Sequence, residues 1–105
     1  MKHEERRELD RIGLDILTSH VALVCLCSSM EIESEEDLET IQQQAWRVME
    51  IVERGLRRID ELKGITEDPS DYRELEELID KIEDTRRILV ALQAQLEEVK
   101  EEGSY

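Results

Sequence analysis

The chain of 105 residues is long enough for one domain with a single core of modest size. Its 14 lysine and arginine residues stand against 28 aspartate and glutamate residues, which gives a net charge of −14. This charge would repel a nucleic-acid backbone and an anionic membrane surface, so both classes of partner are disfavoured. A single proline and the absence of a glycine-rich tract predict long helices.

The first predicted element is a helix over residues 3–31. Its run from Ile16 to Met30 carries no charge, although 40% of the residues in the chain are charged. Such a run indicates either burial on most sides or an apolar face offered to another molecule. It is shorter than the about 20 apolar residues that a membrane span needs. The polar start, MKHEERRELD, has no signal-peptide pattern, and we recognise no targeting signal.

Helix 1 is predicted to have two apolar faces. Steps of three and four residues trace the predicted core stripe: Leu9, Ile12, Ile16, Ser19, Leu23, Leu26 and Met30. A second face, over about residues 14–30, lies at roughly 60–160° around the helix from Leu9 and is predicted to bind a partner; its members are Leu14, Leu17, Val21, Val24, Cys25 and Ser28. This spacing is typical of a helix that lies in a partner's groove. We predict a protein partner, such as a receptor or an antibody. The alternatives are homodimerisation through helix 1 and a broad core face with a few surface apolar residues.

Helix 2 is predicted over residues 35–63. Ser34 provides a side-chain acceptor at the helix start, with Asp37 three residues later, as in a capping box or a close variant of it. Gly64 is the predicted C-terminal stop. The predicted core stripe steps by three and four residues: Leu38, Ile41, Ala45, Val48, Val52, Gly55, Ile59 and Leu62.

Helix 3 is predicted over residues 70–102, capped by Asp68 or Ser70 and closed by Gly103. Its stripe has the same steps: Leu75, Leu78, Ile82, Thr85, Leu89, Leu92, Leu96 and Val99. A sustained repeat of 3.5 residues, with short connections, predicts nearly antiparallel neighbours in a slight left-handed supercoil. The predicted fold of residues 1–105 is an all-α, up-down-up three-helix bundle with coiled-coil-like packing.

Two resemblances accompany this pattern. Three long heptad helices in about a hundred residues resemble a spectrin-type repeat in architecture, although Trp46 lies on helix 2 and such repeats carry a tryptophan on helix 1. Clean caps, equal helices, minimal loops and outer faces such as RELEELIDKIEDTRR resemble de novo designed helical bundles. The second resemblance covers helices 2 and 3 and the loops, and implies a rigid scaffold. It does not extend over Ile16–Met30, where cysteines and serines interrupt the pattern.

Small residues interrupt the predicted core. Gly13 and Gly55 each cost about 1 kcal/mol relative to alanine inside a helix, and folding the hairpins brings their levels close together. Three further positions are expected to share a middle level: Ser19, Ala45 and Thr85. These features predict close helix approach and a small hydrogen-bonded layer. The alternative is a cavity for a small ligand, unless Trp46 fills the space.

A short segment of helix 1, Leu9-Asp10-Arg11-Ile12-Gly13, resembles part of the pro-apoptotic helix that docks in the groove of survival proteins. That helix has the pattern Leu-x-x-Ile-Gly-Asp. Here Leu14 takes the place of the acidic residue, and Asp15 follows one position late. Glu5 occupies the position of the upstream apolar anchor.

No set of residues predicts catalysis, a cofactor or a metal site. His3 and His20 are far apart, and neither has a cysteine or carboxylate at metal-ligand spacing. We therefore expect a chain that is not an enzyme and binds no cofactor. Cys25 and Cys27 point about 200° apart on a helix and are expected to remain thiols. Cys25 is expected on the second face and Cys27 at the core edge, where it would react slowly.

Overall fold

The computed structural model describes residues 1–28 and 31–103. Three helices follow one another: α1 (His3–Ser28), α2 (Glu35–Ile65) and α3 (Pro69–Glu102). Every pair of helices is in contact, and the molecule measures 53 × 18 × 18 Å. The predicted all-α three-helix bundle is confirmed.

The helix starts follow the predicted capping residues. Ser34 accepts a hydrogen bond from the backbone N–H of Asp37 at 3.2 Å. The Asp37 carboxylate accepts in turn from the N–H of Glu33 rather than from Ser34, so the motif is a variant of the capping box. At α3, Asp68 is the cap and accepts from Ser70 N–H at 2.8 Å, with Pro69 in the first turn.

Two predicted helix ends require correction. α1 ends at Ser28 and residue 31 is not helical, while Ser29 and Met30 lie outside the described residues. The apolar repeat simply continued past the helix end, with no glycine to mark the stop. α2 continues through Gly64 to Ile65, because the backbone becomes extended only at Thr66. The Thr66 hydroxyl donates to Leu62 O at 2.5 Å. Gly103 does close α3, with φ +62° and its N–H bonded to Val99 O.

The core consists of two clusters along the bundle axis. The first lies near the start of α1: Leu9, Ile16, Val52, Ile59, Leu62, Leu75 and Ile82. The second lies toward its end: Leu23, Leu38, Ile41, Ala45, Leu89, Leu92 and Leu96. Among the described residues, the predicted stripes are thus buried, except for half-buried edge positions: Ile12, Leu26, Val48, Leu78 and Val99. Burial of Leu9 against the other helices leaves it unavailable as an exposed anchor.

A polar level separates the two clusters. Ser19 and Thr85 are buried there, and Val48 packs against both clusters. Ala45, which was expected at this level, is buried in the second cluster. Trp46 does not fill the interior, because it is 64% exposed on the α2–α3 side, beside Gln93 and Leu96.

Candidate protein-binding face of α1

The second face of α1 lies on the surface. Leu14 is 62% exposed, Leu17 60%, Val21 53% and Val24 44%. These four account for almost half of the nine exposed large apolar residues in the described chain. Cys25 and Ser28 are exposed on the same helix, and Ser28 Oγ donates back to Val24 O at 2.9 Å. Residues 14–28 therefore present an apolar surface that the bundle leaves uncovered.

Cys27 is exposed as well, so the expected slow reaction at a core edge is not supported. Helical angle alone placed Cys27 beside the core stripe. In the folded chain, Leu23 and Leu26 fill the contact with the other helices at this end of α1. Cys27 and Cys25 are thus both accessible to solvent.

The first half of α1 is held by ion pairs. Arg58 donates to the Glu8 carboxylate from Nε at 2.6 Å and from Nη2 at 3.0 Å, and its Nη1 also donates to Glu61. Arg6 donates to Asp71 at 2.6 Å and to Glu74 at 3.0 Å. The hydrogen bonds that Arg58 donates to the Glu8 carboxylate lower the pKa of Glu8 and raise the pKa of Arg58. These contacts fix α1 to both neighbours before the uncharged run begins.

Asp71 is the buried carboxylate among these ion pairs. Its Oδ2 accepts from the amino group of Met1 at 2.6 Å, and its Oδ1 accepts from Arg6. The hydrogen bond from the amino group is the main reason that the pKa of Asp71 is lowered, against the opposing effect of burial. The carboxylate therefore stays charged and keeps the start of α1 close to the start of α3.

A groove of about 440 Å³ runs beside the second face, between α1 and α3. Leu17 lines it together with Gly13, His20, Leu78 and Lys81, and Asp84 and Thr85 complete the wall. It is open to solvent, unlike the enclosed void that a ligand cavity between the helices would require. An added Cβ at Gly13 would meet only Leu78 Cδ1, at 4.0 Å, so the missing side chain leaves room in this groove.

His20 is fixed at the edge of the groove by one hydrogen bond. Thr85 Oγ1 donates its single proton to Lys81 O at 3.0 Å, and His20 Nδ1 lies 3.1 Å from the same oxygen. With the Thr85 hydroxyl donating to Lys81 O, Nδ1 of His20 is the donor to Thr85 Oγ1. This bond joins α1 to α3 at the polar level between the two core clusters.

The uncharged run on α1 has counterparts on the other helices at the same level. No charge occurs in Thr40–Trp46 on α2 or in Ile88–Leu96 on α3. The His20–Thr85 bond and the groove that joins Trp46 to Gln93 place these stretches side by side. The sequence shows each stretch, but only the register of the helices shows that they form one uncharged zone, which the sequence analysis missed.

By length and composition alone, α1 is apolar enough to cross a membrane, and 17% of its most apolar window is buried in the bundle. The prediction against a membrane span rested on the uncharged run of residues 16–30, which is shorter than this helix. Within residues 1–28 and 31–103, no group of three or more His, Cys, Asp or Glu side chains is placed to hold a metal ion.

Comparisons with protein families, with curated proteins and with solved structures found no match to this chain.

Proposed function

We propose that the chain is a non-enzymatic helical scaffold, of the kind that de novo designed bundles exemplify, that binds a protein partner through the second face of α1. A receptor or an antibody is the kind of partner that we expect. The observation that carries the proposal is the exposure of Leu14, Leu17, Val21 and Val24 in one row on a helix whose opposite side is core. Rows at this spacing are how helices fill apolar grooves.

The size of the face sets a limit on its affinity. Full burial of four such side chains is worth roughly 6–12 kcal/mol, at about 1.5–3 kcal/mol each. These side chains are already partly covered, so the gain on binding is smaller. Association costs of about 4–15 kcal/mol oppose it. A stable complex therefore needs further contacts around the row, and the groove beside Leu17 is the nearest place for them.

Rigid support of α1 lowers the entropic cost of binding. The second face lies on a helix that its neighbours hold at the charged end through Glu8–Arg58 and Arg6–Asp71. Leu23 holds it at the other end, with none of its surface exposed. A face that is already ordered loses little conformational freedom when a partner binds.

Charge insertion on the second face tests the proposal. Leu17→Glu and Val21→Glu, made separately, should change the free energy of unfolding by no more than about 0.5 kcal/mol, as at ordinary surface sites. Each should weaken binding of a leucine/glutamine amphipathic helical peptide by more than about tenfold, about 1.4 kcal/mol. The reason is that the new carboxylate would lose water in the complex. Chemical denaturation and fluorescence anisotropy give the two readouts.

Val52→Glu is the matched control, because Val52 lies in the first core cluster with 1% of its surface exposed. It should unfold the bundle, since an unpaired charge in the core costs several kcal/mol. If Leu17→Glu and Val21→Glu also lost several kcal/mol of stability, these residues would be core and the proposal would be wrong. It would fail equally if both variants bound the peptide as the parent chain does.

A further inference from the structure

One end of the bundle carries most of the net negative charge. The segment from Glu31 to Glu39 contains six carboxylates and no basic residue, and the segment from Glu97 to Glu102 contains four carboxylates and one lysine. Together they hold −9 of the net charge of −14. We call these two segments the acidic end. Nearly all of their charged side chains are exposed.

The acidic end adjoins the second face. α1 runs toward it and ends at Ser28, while the last turns of α3 and the first turn of α2 form it. The ion pairs that hold α1, Glu8–Arg58 and Arg6–Asp71, lie in the other half of the bundle. A helix bound along residues 14–28 would therefore have one end beside concentrated negative charge.

This arrangement decides between two occupants of the second face. A second copy of the chain would bring another charge of −14 to the contact, and repulsion would oppose its approach. A partner with basic residues would be attracted to the acidic end and would find the apolar row beside it. Lysine or arginine on a partner would also relieve the repulsion among the carboxylates.

We propose that the partner of the second face is a basic amphipathic helix, with its apolar side on Leu14, Leu17, Val21 and Val24 and its cationic residues against the acidic end. This inference rests on the proposed function and adds the chemistry of the partner to it. The apolar row supplies contact, and the charges supply selectivity and faster association.

Three peptides of about 20 residues, enough for about 30 Å of helix, test this choice. They share the same leucine positions and carry lysine, glutamine or glutamate at the others. The lysine peptide should bind at least about tenfold more tightly than the glutamine peptide, and the glutamate peptide should bind most weakly. Raising salt from about 50 mM to about 500 mM should remove most of this advantage, because exposed charges are screened. Fluorescence anisotropy measures each affinity.

Variants of the acidic end test whether its carboxylates cause the tighter binding of the lysine peptide. Glu98→Lys with Glu101→Lys should weaken the lysine peptide by at least about fivefold. Asp60→Lys with Glu67→Lys changes charge equally at the opposite end of the bundle, away from residues 14–28, and should change it less than about twofold. Both pairs are exposed, so the fold should survive. Val21→Gln removes apolar contact without adding charge, and should weaken all three peptides.

The results distinguish failure of this inference from failure of the proposed function. If the three peptides bind equally and Val21→Gln weakens them all, charge does not select the partner; this inference is then wrong and the proposed function stands. If the lysine peptide binds regardless of Val21→Gln, the acidic end holds it without the second face, and both ideas fail. Binding to zwitterionic phosphatidylcholine vesicles, lost in Val21→Gln while no peptide binds, would identify a membrane as the occupant and overturn both.

Discussion

Gly13 and Gly55 lie at the same level of the bundle but differ in their surroundings. A Cβ at Gly55 would lie 3.3 Å from Ile12 Cγ2 and 3.6 Å from Ile16 Cδ1, so the absence of a side chain permits close approach of α1 and α2. A Cβ at Gly13 would meet one atom at an ordinary contact distance. The sequence predicted close approach for both, and the structure supports it at Gly55.

Alanine substitution should separate the two glycines. Gly13→Ala should raise the free energy of unfolding by about 0.5–1 kcal/mol, because alanine favours the helix and nothing obstructs it. Gly55→Ala should be less stable than Gly13→Ala by about 1 kcal/mol or more, since overpacking against Ile12 offsets the helical gain. Urea denaturation of the two variants measures the difference. Equal stabilisation by both would mean that α1 and α2 are not in close contact at Gly55.

At the scale of elements, the two halves of α1 differ: ion pairs hold the first half against α2 and α3, and the second half exposes an apolar row. Residues before Gly13 carry the ion pairs to α2 and α3, while residues after it carry the exposed apolar row. Leu23 and Ile16 are the main buried contacts of the second half. The ion pairs therefore hold α1 in place without using the surface that we propose for binding.

The Glu8–Arg58 pair predicts a contribution to acid sensitivity. The pKa of Glu8 is lowered from its ordinary value of 4.5 by the hydrogen bond from Arg58. Its stabilising effect is full above the unfolded pKa and is lost as pH falls through the lower folded pKa. Glu8→Gln should therefore lose less stability than the parent chain between about pH 7 and about pH 3. Denaturation followed by circular dichroism at both pH values gives the comparison.

Glu83→Gln is the control for this experiment, because Glu83 is exposed and the substitution removes the same formal charge. It should retain the acid sensitivity of the parent chain. An identical pH dependence for Glu8→Gln and the parent would show that the pair contributes nothing to stability, as is common for exposed ion pairs.

At the scale of the whole molecule, charge and apolar surface have opposite effects on self-association. The second face favours contact between copies, whereas a charge of −14 on a molecule of 12.4 kDa opposes it. Repulsion reaches furthest at low salt, where the screening length is about 30 Å at about 0.01 M. The −9 charge of the acidic end lies within that distance of the second face, because residues 14–28 span about 21 Å of helix.

We therefore expect sedimentation equilibrium to give a mass of 12.4 kDa that does not depend on protein concentration at low salt. A mass that rises toward that of two chains, and returns to one chain in Val21→Glu, would instead support the homodimer through helix 1.

The sequence by itself determined the helices and their core stripes. Apolar residues at steps of three and four must lie on one side of each helix, and Ser34, Asp68 and Gly103 mark helix ends through local hydrogen bonds and backbone conformation. The end of α2 was misjudged, because Gly64 permits a stop but does not require one when Thr66 closes the helix.

Only the tertiary structure decided which of the remaining apolar residues are covered. The helical angle of Val21 is the same whether a neighbour packs on it or not, so its exposure depends on the position of α2 and α3 around α1. The same holds for Cys27, which periodicity placed beside the core and packing leaves exposed. The acidic end and the uncharged zone likewise required the register between helices, because charges distant in sequence become neighbours only when the hairpins close.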